Sequence, residues 1–88
     1  MLNRRSDSPG DRVAEVVQRL LTERSISRSV CSDDDLSEVG LTSLDMVNLM
    51  LSVEAEFDLE IPEAHIIPTN FRSISTISSL VTALMKDS

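Results

Sequence analysis

The stretch GLTSLDMVNLMLSVEAEFDLEIPE, Gly40 to Glu63, decides how the chain is read. Thr42 and Ser43 stand directly before a run of helical apolar spacing, and Asp45 occupies the place of a capping-box acid three residues after Thr42. The pattern predicts a helix from Ser43 to Phe57 with Thr42 as its N-cap. At about 100° per residue, Met46, Leu49, Met50, Val53 and Phe57 share one stripe, an ordinary core face. Leu44, Val47, Leu51 and Ala55 form a second stripe on the side of Ser43. Glu54 lies between the stripes, and Asp45, Asn48, Ser52 and Glu56 fill the polar remainder. A single-core domain needs only the first stripe. The second either packs under a neighbouring loop or stands exposed as a docking surface flanked by acids. The readings combine if Val47 leans inward and Leu44 and Leu51 outward.

Working outward, residues 1–10 are polar, end in Pro9-Gly10 and read as a loose tail, which leaves a domain over residues 11–86. A first helix is predicted from Asp11 as N-cap, with Val13, Val16, Val17, Leu20 and Leu21 inward and a Glu15–Arg19 pair on its surface. Ser25 to Leu41 shows no sustained period and reads as a long loop pinned by Ile26, Val30, Leu36, Val39 and Leu41. Pro62 is expected at the first position of a short helical turn. Ser73 is expected to cap a last helix that faces Ile74, Ile77, Leu80, Val81 and Leu84 inward. DLEIPE alternates briefly, but Pro62 interrupts any strand. The expected fold is all-α: an irregular bundle of three main helices and a short one, with a long loop between the first and second main helices.

Composition narrows the function. The 88 residues carry a net charge of -7, and between Arg28 and Arg72 every charged residue, from Asp33 to Glu63, is an acid. Nucleic acid binding needs the opposite sign. Acidity suits basic protein partners, or a solvated surface with no partner at all. Phe57 and Phe71 are the only aromatics, so an aliphatic, Met-containing core and a deformable interior are expected. Cys31 is a single cysteine followed by acids, which provides neither a disulfide nor a reactive thiol. His65 is the single histidine, in a turn, without a catalytic arrangement around it; no metal ligand set is read from the chain. No signal peptide or membrane span is evident, so a soluble, cytoplasmic monomer is expected.

Ser43 is either a good first-turn residue or an attachment point, where an anionic group would meet the positive end of the helix dipole. Here the sequence resembles the central segment of acyl carrier proteins and their peptidyl carrier relatives. The shared pattern is Gly40, the Ser43-Leu44 pair, Val47, the E-x-E-F that ends at Phe57, and Ile61-Pro62; a weaker likeness spans Asp11 to Met85. The resemblance implies that Ser43 receives 4'-phosphopantetheine from coenzyme A and that the arm's thiol holds an acyl or aminoacyl group as a thioester. It implies docking through Leu44, Asp45, Val47, Leu51 and Glu54, and core roles for Leu49, Val53 and Phe57. The implied partners are a phosphopantetheinyl transferase, an acyl- or aminoacyl-activating ligase and a downstream transferase or synthase; the chain itself would not be an enzyme. Thr42 stands where the fatty-acid type has Asp, Asn48 and Ala55 replace acids, and the last helix is rich in Ser and Thr. These departures point to a specialised carrier, similar to stand-alone aminoacyl carriers, rather than the housekeeping fatty-acid carrier. The alternative is an unmodified acidic helical adaptor, which gives Ser43 no task.

Overall fold

The computed structural model describes residues 8–87 and contains four α-helices: α1 (Pro9–Glu23), α2 (Leu36–Val39), α3 (Ser43–Phe57) and α4 (Ile74–Asp87). Two 3-10 turns, Glu63–His65 and Pro68–Phe71, link α3 to α4, and the described residues contain no strand.

The first helix starts earlier than predicted. Ser8 is its N-cap and accepts from the Asp11 N–H at 3.2 Å, so Asp11 sits within the first turn. Pro9, read as a breaker, occupies a first-turn position where its missing N–H has no intrahelical acceptor to lose. Of the expected tail, residues 1–7 lie outside the described residues. The inward face is the predicted one: Val13, Val16, Val17, Leu20 and Leu21 are all buried.

Both ends of α3 are tied to α1 by arginine. Arg12 donates through Nε to Glu56 Oε2 at 3.0 Å and through its terminal nitrogen to the Glu56 carbonyl at 2.6 Å, while its guanidinium lies 4.5 Å from the Phe57 ring centroid. Arg24, at the other end of α1, meets Asp45 at 3.2 Å. The two helices therefore run antiparallel. Arg19 turns to Glu56 at 3.5 Å instead of pairing with Glu15, because α3 passes beside it.

The expected long loop contains α2. Asp35 caps it, accepting from the Ser37 N–H at 2.9 Å and the Ser37 hydroxyl at 2.6 Å. Leu36 is wholly buried, and Gly40 ends the helix at φ +123°, a conformation that an L side chain strains to adopt. The segment is fastened to the start of α4 by the Leu36 N–H to the Arg72 carbonyl (2.8 Å) and the Ser75 N–H to the Ser32 carbonyl (2.9 Å).

Pro62 precedes the first 3-10 turn by one residue instead of opening it. Ser73 caps α4, its Oγ accepting from the Thr76 N–H at 3.2 Å, and Ile74, Ile77, Leu80 and Val81 are buried. Leu49 and Val53 complete the centre at 0% exposure, with Met46, Met50 and Phe57 packed against it in part.

Candidate functional site at the start of the third helix

Thr42 and Asp45 form a reciprocal capping box. The Thr42 hydroxyl accepts from the Asp45 N–H at 3.2 Å, and Asp45 Oδ2 accepts from the Thr42 N–H at 2.9 Å and the Thr42 hydroxyl at 3.0 Å. Ser43 is the first helical residue inside that box, and it is exposed. Its own N–H and that of Leu44, at the first two positions of α3, have no acceptor within the helix. A nucleophilic hydroxyl thus projects beside open donors at the positive end of a helix of 15 residues.

The second stripe is uncovered. Leu44 is 70% exposed, Leu51 52% and Val47 48%, so Val47 does not lean inward as expected. The reason is an open cleft of about 700 Å³ beside it, lined by Ser43, Met46, Val47 and Met50 from α3 and by Ile67 and Phe71 from the connection to α4. Ile66 and Ile67, 42% and 45% exposed, continue the apolar surface on the other side of the cleft. These isoleucines were missed in the sequence because two adjacent residues in a turn have no period; their position between Pro62 and Pro68 was the available signal.

The acids expected at the edge of the docking stripe point elsewhere. Asp45 is buried, with its carboxylate committed to Thr42 and Arg24. The Thr42 N–H donated to that carboxylate holds its pKa below the usual range against the opposing effect of burial, with the Thr42 hydroxyl and Arg24 acting in the same direction as the N–H. Glu54 is half-buried, and its Oε2 accepts from the Ile61 N–H at 2.8 Å, which fixes the turn after α3. Cys31 is exposed, and its N–H donates to Asp34 at 2.8 Å. His65 is exposed in its 3-10 turn. Among the described residues no group of three or more His, Cys, Asp or Glu is placed to hold a metal ion, and no helix is long and apolar enough to cross a membrane.

The site brings together an exposed serine at a helix N-terminus, an apolar stripe and an open cleft on a bundle of helices. The chain belongs to the family described as the phosphopantetheine attachment site, which matches residues 11–84. Its cofactor is therefore covalent 4'-phosphopantetheine, and the exposed hydroxyl with adjoining donors and cleft fits that group.

The chain is 45% identical over 71 residues to Aminoacyl carrier protein 1 of Bradyrhizobium diazoefficiens, covering 81% of this chain and 79% of that one. It is also similar to the carrier chain in a crystal structure of Bradyrhizobium japonicum glycine:[carrier protein] ligase complexed with its cognate carrier protein and an analogue of glycyl adenylate. That match has a TM-score of 0.79 and 42% identity, and covers 88% of this chain and 99% of the other. A second structure of that ligase, with glycylated carrier protein, matches with a TM-score of 0.77 and 42% identity over 84% of this chain and 99% of the other.

Proposed function

We propose that Ser43 is the attachment residue and that the chain carries an amino acid on its arm, loaded by an aminoacyl-activating ligase. The observation that carries this reading is the exposed Ser43 hydroxyl framed by the Thr42–Asp45 capping box. The relatives' aminoacyl cargo and the neighbours' complexes with a glycine ligase support the choice of cargo and partner. The attached group supplies a terminal thiol that holds the cargo as a thioester.

The chain's own residues present and recognise. The capping box fixes the start of α3 and hence the direction in which the Ser43 hydroxyl leaves the bundle. Leu44, Val47 and Leu51 form the apolar footprint for the transferase, the ligase and the acceptor enzyme, and Ile66 and Ile67 extend it. Asp45 acts from beneath by holding the cap, and Glu54 by holding the turn after Phe57. Such a domain works without catalysing a reaction itself, in the cytoplasm where coenzyme A and the ligase are available. The adaptor reading accounts for the apolar stripe alone and is not favoured by the family match.

The test is intact mass after incubation with coenzyme A, magnesium and a broad-specificity phosphopantetheinyl transferase. The expected result is a gain of one arm, abolished in Ser43→Ala. A wild-type chain left unmodified by several transferases overturns the assignment. Incubating the modified chain with the ligase, ATP and single amino acids then identifies the cargo by a second mass increment.

A further inference from the structure

Resting on the reading of Ser43 as the attachment residue, we infer that Arg24 is a positioning residue for that modification, acting on Ser43 through Asp45 and Thr42. The chain of contacts is continuous. Arg24 Nε lies 3.2 Å from Asp45 Oδ1, and Asp45 Oδ2 accepts from the Thr42 N–H and hydroxyl at 2.9 and 3.0 Å. Both carboxylate oxygens are thereby fixed from opposite sides, and the Asp45 side chain is only 5% exposed. Ser43 is the next residue after Thr42, so its backbone orientation is set by this frame.

Arg24 is itself held. It is the C-cap of α1, its N–H donating to the Leu20 carbonyl at 3.0 Å. The Ile26 N–H reaches the Leu21 carbonyl at 2.8 Å around Ser25, which adopts φ +60°. Core packing of Leu20 and Leu21 carries that rigidity into the bundle. The capping box alone is local to α3; the guanidinium joins it to a separate helix.

The contact also has an electrostatic consequence. Transfer places a phosphodiester anion at the start of α3, where Asp45 already bears a negative charge. Among the described residues Arg24 is the cation paired with Asp45, and it offsets that charge within the cap that precedes Ser43. A carboxylate serving as a cap is thus made compatible with an anion arriving two residues away.

The experiment measures transfer from coenzyme A by one phosphopantetheinyl transferase to the wild-type chain, R24K, R24Q, D45N and R24Q/D45N, well below their melting temperatures. Amide hydrogen exchange at Thr42 and Asp45, the two backbone donors of the capping box, is followed in the same variants. Loss of alignment predicts that R24Q lowers kcat by about fivefold while KM changes by less than about twofold, and that both amides exchange faster. R24K, which keeps the charge, should recover most of kcat. In the D45N background R24Q should have no further effect, because its route to Ser43 is gone. A lowered melting temperature with unaltered kcat and exchange would mark a merely structural contact and overturn the inference. So would an R24Q effect that persists undiminished in D45N, which would make Arg24 a direct contact of the transferase. Failure of the wild-type chain to take an arm overturns the Ser43 assignment as well, whereas normal modification of R24Q overturns this inference alone.

Discussion

Arg12 binds Glu56 twice, once at the carboxylate and once at the backbone carbonyl, and so caps the C-terminal end of α3 from the N-terminal end of α1. The carbonyl belongs to the last turn, where no N–H within the helix is available to it. Arg12→Ala is expected to lower stability by about 1 kcal/mol, the charged hydrogen bonds being discounted for partial exposure. Urea unfolding measures this, and an unchanged midpoint would mean that water replaces the guanidinium without loss.

Among the described residues, Ser25 and Asp58 adopt positive φ without being glycine, at +60° and +52°. Ser25→Gly should raise stability by about 0.5–1 kcal/mol, as relief of left-handed strain exceeds the entropy glycine adds to the unfolded chain. Gly40→Ala, at φ +123°, should lower it by about 1–2 kcal/mol. Thermal unfolding of both variants checks the opposite signs.

Leu49 and Leu51 are two residues apart and face different environments, at 0% and 52% exposure. Leu49→Ala should cost about 2–5 kcal/mol through a core cavity. Leu51→Ala should change stability by less than about 0.5 kcal/mol while weakening the ligase complex. Titration calorimetry with the ligase separates them; equal ligase affinity for wild type and Leu51→Ala would remove Leu51 from the footprint.

Acid should loosen both caps. The carboxylates of Asp45 and Asp35 titrate below their ordinary value of 3.8, Asp45 chiefly through the Thr42 N–H and Asp35 chiefly through the Ser37 hydroxyl. Each ionised form therefore favours the folded state. Its contribution is complete above the unfolded value and is lost as pH falls through the lower folded one. Stability should decline on acidification below about pH 4, and Asp45→Asn should flatten that decline while being less stable than wild type at neutral pH. Urea midpoints between pH 2 and 7 provide the measurement, and an identical pH profile in Asp45→Asn would contradict it.

Amino acid cargo should leave the bundle unaltered, since the core is filled by Leu49, Val53, Ile77 and Val81 without it. Backbone amide shifts of unloaded and aminoacylated forms should differ only around Ser43 and the adjoining cleft. Widespread shifts at those four residues would instead indicate that cargo enters the core.

The start, end and cap of α3 were legible because Thr42, Ser43 and Asp45 act locally and the apolar period is unbroken up to Phe57. The inward faces of α1 and α4 were legible for the same reason. What was missed depends on partners distant in sequence or on segments too short for a period. Asp45 read as a surface acid on a helical wheel, yet Arg24 and Thr42 draw it inward. The four residues of α2 carry no period, and their helix is fixed by the Asp35 cap, the burial of Leu36 and a bond to Arg72. Pro9 reads as a breaker in the sequence, whereas the Ser8 cap makes it the start of α1. Ile66 and Ile67 gain their meaning only from the cleft they share with α3.

Because Ser43 and Leu51 ride on one continuous helix, the proposed root of the tether and the far end of the proposed footprint are separated by a constant axial offset of about 12 Å, eight residues at 1.5 Å each. An enzyme that seats Leu51 in a fixed pocket must therefore open its tunnel at that distance. The helix works as a ruler, and enzymes sharing this chain as a substrate should have the same spacing between pocket and tunnel mouth, however different their chemistry.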